Sequence, residues 1–285
     1  MPEFSIKYTT KNFYSEEMKH ALIEFLILPE ENETQDRLSF DLETSVNIKE
    51  NIGINIFDFE IIRYRLDNSH LDFELTMNTR VRKKKVNPFD FQQLLYEDER
   101  IILNSAEFEI DNYPFLLVTQ LTTLPDGFKC PELVDKEQVF EFAIRVNKFV
   151  FDELVYCDID TNIQKTIEQT LKGKTGVCQD YTHLMLAVLR KNRIPARYVS
   201  GYLNPGTNQM GAGTVHAWVQ ALVPGVGWIG FDPTNRLLED YHYIKIAHGV
   251  DINDCQNVKG VVVGPGTNHT DYTVQVTEQN KNQNQ

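Results

Sequence analysis

The chain has 285 residues and a mass of 33.0 kDa, 41% of them hydrophobic and 11% aromatic. That length suits one large domain or two ordinary ones with a packed core. A formal net charge of -13 repels phosphate backbones, so nucleic acid is not an expected partner.

Residues 1 to 125 read as β structure. Apolar and polar residues alternate in Phe4-Ser-Ile-Lys-Tyr8, Leu38-Ser-Phe-Asp-Leu42, Phe57-Asp-Phe-Glu-Ile61 and Leu71-Asp-Phe-Glu-Leu75-Thr-Met77, with Asn- and Glu-rich turns between them. Several short strands so spaced predict a β-sandwich. The basic run Arg80-Val-Arg-Lys-Lys-Lys85 reads as a solvated strand end rather than an anion patch. Phe89 to Leu103 suits a short helix.

The pattern changes near Pro125-Asp-Gly127 and Pro131, taken as the boundary of a second domain over 126–277. Asp135 and Gln138 can cap a helix that carries Val139, Phe142, Ala143, Val146, Phe149 and Val150. Thr161 with Gln164 signals another helix, closed by Gly173. A third starts near Cys178 and ends at Asn192 and Pro195. Strands follow over 196–203, 215–223 and 228–232. Helices followed by antiparallel strands predict an α+β unit. The polar tail 278–285 reads as disordered.

Cys130, Cys157, Cys178 and Cys255 fall at no metal-like spacing. A disulfide framework is not expected either, and no cofactor is called for. His242, His248 and His269 with Cys255 have no zinc-ligand spacing. The N-terminal residues lack the apolar run of a signal peptide, and the apolar runs elsewhere fall short of a membrane span, so a cytoplasmic location is the expectation.

One thiol stands apart. Gly173-Lys-Thr-Gly176-Val-Cys178 places a cysteine where a Gly-bearing loop enters a helix. Free N–H groups at a helix N-terminus favour a thiolate and can hold an oxyanion. The alternative is an inert buried helix cysteine. Thr214-Val-His216-Ala-Trp218 and Trp228-Ile-Gly-Phe-Asp232 read as neighbouring strands of a hairpin turned at Pro224-Gly-Val-Gly227. His216 and Asp232 can then form the base and orienter that activate a thiol. A four-residue loop, however, pairs Val223 with Trp228 and puts His216 and Asp232 on opposite faces. A β-bulge at Gly225 or Gly227, or a different loop length, restores one face.

The stretch Gly176-Val-Cys-Gln-Asp-Tyr-Thr-His-Leu-Met185 resembles the catalytic-cysteine motif of bacterial transglutaminase-like proteins. Ile194-Pro-Ala-Arg-Tyr-Val-Ser-Gly-Tyr202, His216-Ala-Trp-Val and Gly227-Trp-Ile-Gly-Phe-Asp-Pro-Thr-Asn235 are similar to the motifs that follow it. Ile246 to Asp254 and Val258-Lys-Gly260 resemble the closing segment, with His248 and Val250 where a Gly-Arg pair is common. Asn192-Arg193 replaces the usual Gly before Ile-Pro. The resemblance implies a papain-like core behind a β-sandwich, with Cys178 as nucleophile, His216 as general base and acid, and Asp232 as orienter. It implies a peptide or protein substrate and acyl transfer through a thioester. Hydrolysis by a cysteine protease or amidase is the first reading; a transglutaminase and a silent scaffold module are the alternatives. Tyr156 is a candidate oxyanion donor. Gln179, Asp180 and His183 are read as structural, and Trp218 as either a wall of the site or core packing. No membrane partner is expected, and oligomeric state is left open.

Overall fold

The structure is a computed structural model that describes residues 1–85, 87–157, 164–204, 210–211 and 213–279. The N-terminal alternation becomes β1 (Glu3–Met18), β2 (His20–Phe25), β3 (Gln35–Thr44), β4 (Asn51–Ile54), β5 (Glu60–Leu66) and β6 (His70–Lys83). Along β1 every second side chain from Phe4 to Tyr14 is buried, as a strand with one face on a core requires. Short helices α1 (Tyr96–Leu103) and α2 (Ala106–Asp111) lead to α3 (Val139–Glu153). Next come β7 (Val155–Tyr156), α4 (Ile167–Gly173), β8 (Thr175–Gly176) and α5 (Cys178–Lys191). The order ends with β9 (Ala196–Leu203), β10 (Val215–Val223), β11 (Gly227–Asp232), β12 (Leu237–Leu238), β13 (Tyr243–Gly249), α6 (Ile252–Cys255), β14 (Val258–Val263) and β15 (Asn268–Gln279).

Two sheets form the sandwich, in the orders β15-β1-β6-β3 and β14-β2-β5-β4. Phe25 and Tyr64 of one sheet meet Phe73 of the other, with ring centroids 6.3 and 5.6 Å apart. Each sheet takes its edge strand from the C-terminus: β14 pairs with β2 and β15 with β1. Residues 258–277, which the sequence division assigns to the second domain, therefore complete the first. Long-range pairing of this kind leaves no local signal at a chain boundary.

The second unit is a five-stranded antiparallel sheet, β12-β11-β10-β9-β13, with α5 and α3 packed on it. Nearly every residue of α5 after its first turn is buried, so it is a core helix rather than a surface one. Arg190 pins it in place. The guanidinium donates to the carbonyls of Phe115, Leu117, Ala196 and Val250 and to the Thr122 hydroxyl. The Val250 bond anchors the segment that follows β13.

Four details differ from the sequence reading. α3 begins at Val139 without a side-chain cap of its own; the Val139 N–H donates instead to Glu99 Oε1 of α1, at 2.9 Å. α4 begins after Thr166, whose hydroxyl accepts from Gln169 N–H in a capping box. Thr161 lies outside the described residues. Past α5 the left-handed residue is Arg193 (φ 59°), while Asn192 stays right-handed and binds Leu133, Pro131 and Val188 through its amide. Of the tail, Glu278 and Gln279 belong to β15, and 280–285 lie outside the described residues.

Candidate active site

The loop before α5 is built by short contacts. β7 and β8 pair in parallel, which lays Tyr156 beside Gly176. A Cβ on Gly176 would run into the Asp180 side chain, so the backbone there passes close over the first helical turn. Asp180 Oδ2 accepts the Val177 N–H at 2.9 Å, closing the turn that carries Cys178. Burial pushes the Asp180 carboxyl up, partly opposed by that N–H. Cys178 is half-buried at the N-terminus of α5, at the wall of a cleft of ≈ 720 Å³.

The β10–β11 hairpin resolves the parity problem by loop length. Val223 pairs with Gly227, leaving a three-residue loop with Gly225 at φ 76° and Gly227 at φ 114°. Glycine is required at such angles. This register runs through Val219↔Phe231 and sets Asp232 across from Trp218, so His216 lies two residues away on the same face. His216 Nε2 and Asp232 Oδ2 are 2.8 Å apart, and both side chains are fully buried.

Asp232 is saturated with donors. Oδ2 also accepts from Tyr243 Oη at 2.8 Å and Asn235 Nδ2 at 2.7 Å; Oδ1 accepts the backbone N–H groups of Thr234 and Asn235. Burial alone would raise its pKa, but His216 and these donors hold it below the usual carboxylate value. For His216 burial opposes charge, yet Asp232, and after it Cys178, lift its pKa to about 10. The Nδ1 atom has no full hydrogen bond among the described residues. With Nε2 committed to Asp232, Nδ1 is the nitrogen left for the thiol.

The hairpin is supported from behind. Trp218 is fully buried, stacks on the His216 ring at 6.2 Å, and donates Nε1–H to Glu239 Oε2 at 2.9 Å. It is core packing beneath the site. Gly201 on β9 makes room for it, since a Cβ there would strike the Trp218 ring and the Ile244 carbonyl. Tyr243 carries no signal that marks it out in the sequence. Asn235 lay within a recognised motif, but Tyr243 reaches Asp232 only because β13 folds back along β9.

The remaining candidates scatter. His183 is buried against Tyr198, accepts weakly from the Ile252 N–H at 3.4 Å, and burial pushes its pKa down to about 4. Gln179 lines the cleft, as does Tyr156. His248 packs edge-on against Phe59 and beside Arg197, with its pKa pushed down to about 2 by burial. His242 stacks on Tyr241, and His269 pairs with Asp271 on exposed β15. Cys255 is buried, and burial raises its thiol. Among the described residues no three His, Cys, Asp or Glu gather as metal ligands. The basic run is absorbed by the sandwich: Arg80 and Arg82 bind Glu3, and Lys83 binds Gln35.

Residues 131–233 match the family model of the Transglutaminase-like superfamily. An uncharacterized protein of Mycobacterium leprae is 39% identical over 139 residues, 47% of this chain and 49% of that protein. A protein-glutamine gamma-glutamyltransferase of Pseudomonas aeruginosa is 42% identical over 70 residues, 22% of this chain and 10% of the relative. The chain thus spans about half the length of the M. leprae relative. A crystal structure from Cytophaga hutchinsonii, named as a candidate cysteine protease, superposes with a TM-score of 0.69 at 19% identity over 99% of this chain and 92% of the other. That likeness extends the shared fold to the β-sandwich. Among the described residues no helix is long and apolar enough to cross a membrane.

Proposed function

This chain carries a transglutaminase-like domain, and we propose that it is a cysteine-dependent acyl-transfer enzyme acting on peptide or side-chain amides, with hydrolysis as the outcome. The observation that carries this reading is the buried His216–Asp232 pair, 2.8 Å apart, with its free Nδ1 on the side of Cys178. A histidine lifted to about 10 is an imidazolium at neutral pH, the counter-ion a thiolate needs.

In this mechanism the Cys178 sulfur attacks the amide carbonyl carbon. The C=O π pair moves onto oxygen, and first-turn amides of α5 stabilise that charge. His216 gives its Nδ1 proton to the leaving nitrogen, the C–N bond breaks, and a thioester remains. Water then attacks the thioester, His216 takes its proton, and the thiolate departs as the carboxylic acid forms. Asp232 keeps the ring oriented throughout and stabilises it whenever it carries the proton. If an amine replaces water, the same steps make an amide, which is the transamidase alternative; the short match to a glutamyltransferase favours testing it. A cytoplasmic setting fits four free cysteine thiols.

The test is site-resolved alkylation of Cys178 by iodoacetamide at neutral pH, in the wild type and in His216→Ala. The reading expects Cys178 to label faster than Cys130 and Cys157, and the variant to slow it by at least tenfold. Equal rates in the two proteins would instead favour a scaffold module. Peptide and amine substrates then separate hydrolysis from transamidation.

A further inference from the structure

The cleft beside Cys178 has a wall that the transglutaminase-like domain does not supply. Thr270, Asp271 and Tyr272 of β15 line it. Successive side chains of a strand point to opposite faces. Three consecutive residues can line one cavity only where the cavity meets the edge of the strand.

The hydrogen-bond pattern defines what that edge offers. β15 pairs with β1 on one side, in the register Tyr8↔Val274 and Thr10↔Tyr272. The Val274 N–H does not go to β1; it donates outward to the Gly213 carbonyl at 3.1 Å. Backbone groups of an antiparallel strand alternate in direction with period two. The N–H and C=O of Tyr272 and Thr270 therefore also point away from β1. The Ser15 N–H to Thr267 carbonyl bond and the Lys83 N–H to Pro2 carbonyl bond agree with this parity on β1. Among the described residues nothing binds the outward groups of Thr270 and Tyr272. The chain itself pairs with this edge at Gly213, and among the described residues the edge is open where it borders the cleft. Burial, and after it the nearby Cys178 sulfur, raises the Tyr272 phenol to about 12.

We propose that an extended polypeptide substrate adds as a strand to the free edge of β15, through the backbone N–H and C=O of Thr270 and Tyr272, and is thereby held with an amide at Cys178. The inference rests on the reading of Cys178 as nucleophile. It gives the sandwich a role in the reaction. Recognition through the main chain tolerates many side chains, and the cleft it borders holds Tyr156, Gln179 and Tyr198, which have polar tips.

A benzyloxycarbonyl tetra-alanine chloromethyl ketone reports on this edge, since alkylation forms one S–CH2 bond at Cys178 and expels chloride. Four versions, each N-methylated at one backbone amide, are compared with the parent on the wild-type protein. Strand addition predicts alternation: methylation at amides facing β15 slows labelling roughly tenfold, and methylation at the amides between them leaves it within about twofold. Thr270→Pro removes an outward N–H without touching the β1 ladder. It is expected to slow the parent reagent to the same degree, with Thr270→Val near wild type and iodoacetamide labelling unchanged in both. If the proline variant does not fold, the methylated series on the wild type still decides. Equal rates across that series, a loss without alternation, or a parent reagent no faster than iodoacetamide would overturn the inference. The reading of Cys178 would survive those results as long as iodoacetamide labelling depends on His216; loss of that dependence is its separate failure.

Discussion

Tyr243 and His216 reach the same oxygen, Asp232 Oδ2, from two different strands, each at 2.8 Å. β13 and β10 are not neighbours in the sheet; β9 lies between them. The phenol thus supports the carboxylate from the far side of a strand. Tyr243→Phe keeps the packing and removes one donor. Stability should fall by about 1 kcal/mol, the usual worth of one hydrogen bond. Cys178 alkylation should slow by about three- to tenfold, because Asp232 then holds the imidazolium less firmly. Chemical denaturation and labelling rates, measured on the same preparation, check both effects.

The His216–Asp232 pair also sets a pH window. His216 is raised from 6.5 to about 10, so its stabilisation is fully present below about pH 6.5 and lost as pH rises toward 10. Asp232 is lowered from 3.8, so its contribution is present above that value and lost as pH falls below it. The two shifts describe one interaction seen from either partner and are not summed. The stability difference between wild type and His216→Gln should be largest between about pH 4 and 6.5. It should shrink steadily up to pH 10. Urea unfolding at several pH values gives the curve, and a difference that grows above pH 7 would contradict the pairing.

Much of this site is legible in the sequence. The strands 196–203 and 215–223 and the start of α5 at Cys178 coincide with their predicted bounds, because local periodicity and turn residues act within a few positions. His216 and Asp232 were identified, but their shared face depended on whether the hairpin loop held three residues or four. Both choices use the same Pro-Gly-Val-Gly sequence. Tyr243, Glu239 and Glu99 were invisible because each acts across the fold, on Asp232, Trp218 and the first N–H of α3 respectively. β14 and β15 were missed for a related reason. Val261 to Val263 are exposed and β15 is largely so, which gives little burial pattern to read.

His183 lies one turn beyond Cys178 and makes a different kind of acid sensitivity. Burial depresses its pKa from 6.5 to about 4, with Asp251 opposing and Arg190 adding to the effect. The folded protein prefers it neutral. Its stability contribution is therefore present above about pH 6.5 and lost as pH falls through 4. His183→Gln keeps an acceptor for the Ile252 N–H and cannot take up the proton. Below pH 6 the variant should lose stability less steeply, by up to about 1.4 kcal/mol per pH unit. His248 is depressed in the same direction, so some acid lability should remain. Parallel acid limbs in the two proteins would show that His183 is not the group that titrates.

Gly211 is the residue through which the loop before β10 controls His216. It has φ +87°, and a Cβ there would overlap His216 Nδ1, the nitrogen assigned to the thiol. The loop cannot retreat freely. Asn235 accepts the Met210 N–H at 2.8 Å and donates to the Met210 carbonyl at 3.1 Å, while the same Nδ2 also donates to Asp232. The ring cannot retreat either, because Trp218 stacks on it and Asp232 holds Nε2. Gly211→Ala should therefore cost about 1–2 kcal/mol of stability from the left-handed backbone alone. Its effect on Cys178 should be larger, with iodoacetamide labelling slowed at least tenfold in a protein that still folds cooperatively. Asn235→Ala frees the loop and removes a donor from Asp232. Placed in the Gly211→Ala background, it should restore part of the fold stability but not the labelling rate, because the carboxylate has then lost its own support. Recovery of labelling in the double variant would mean that the loop, rather than the carboxylate, is what Asn235 serves.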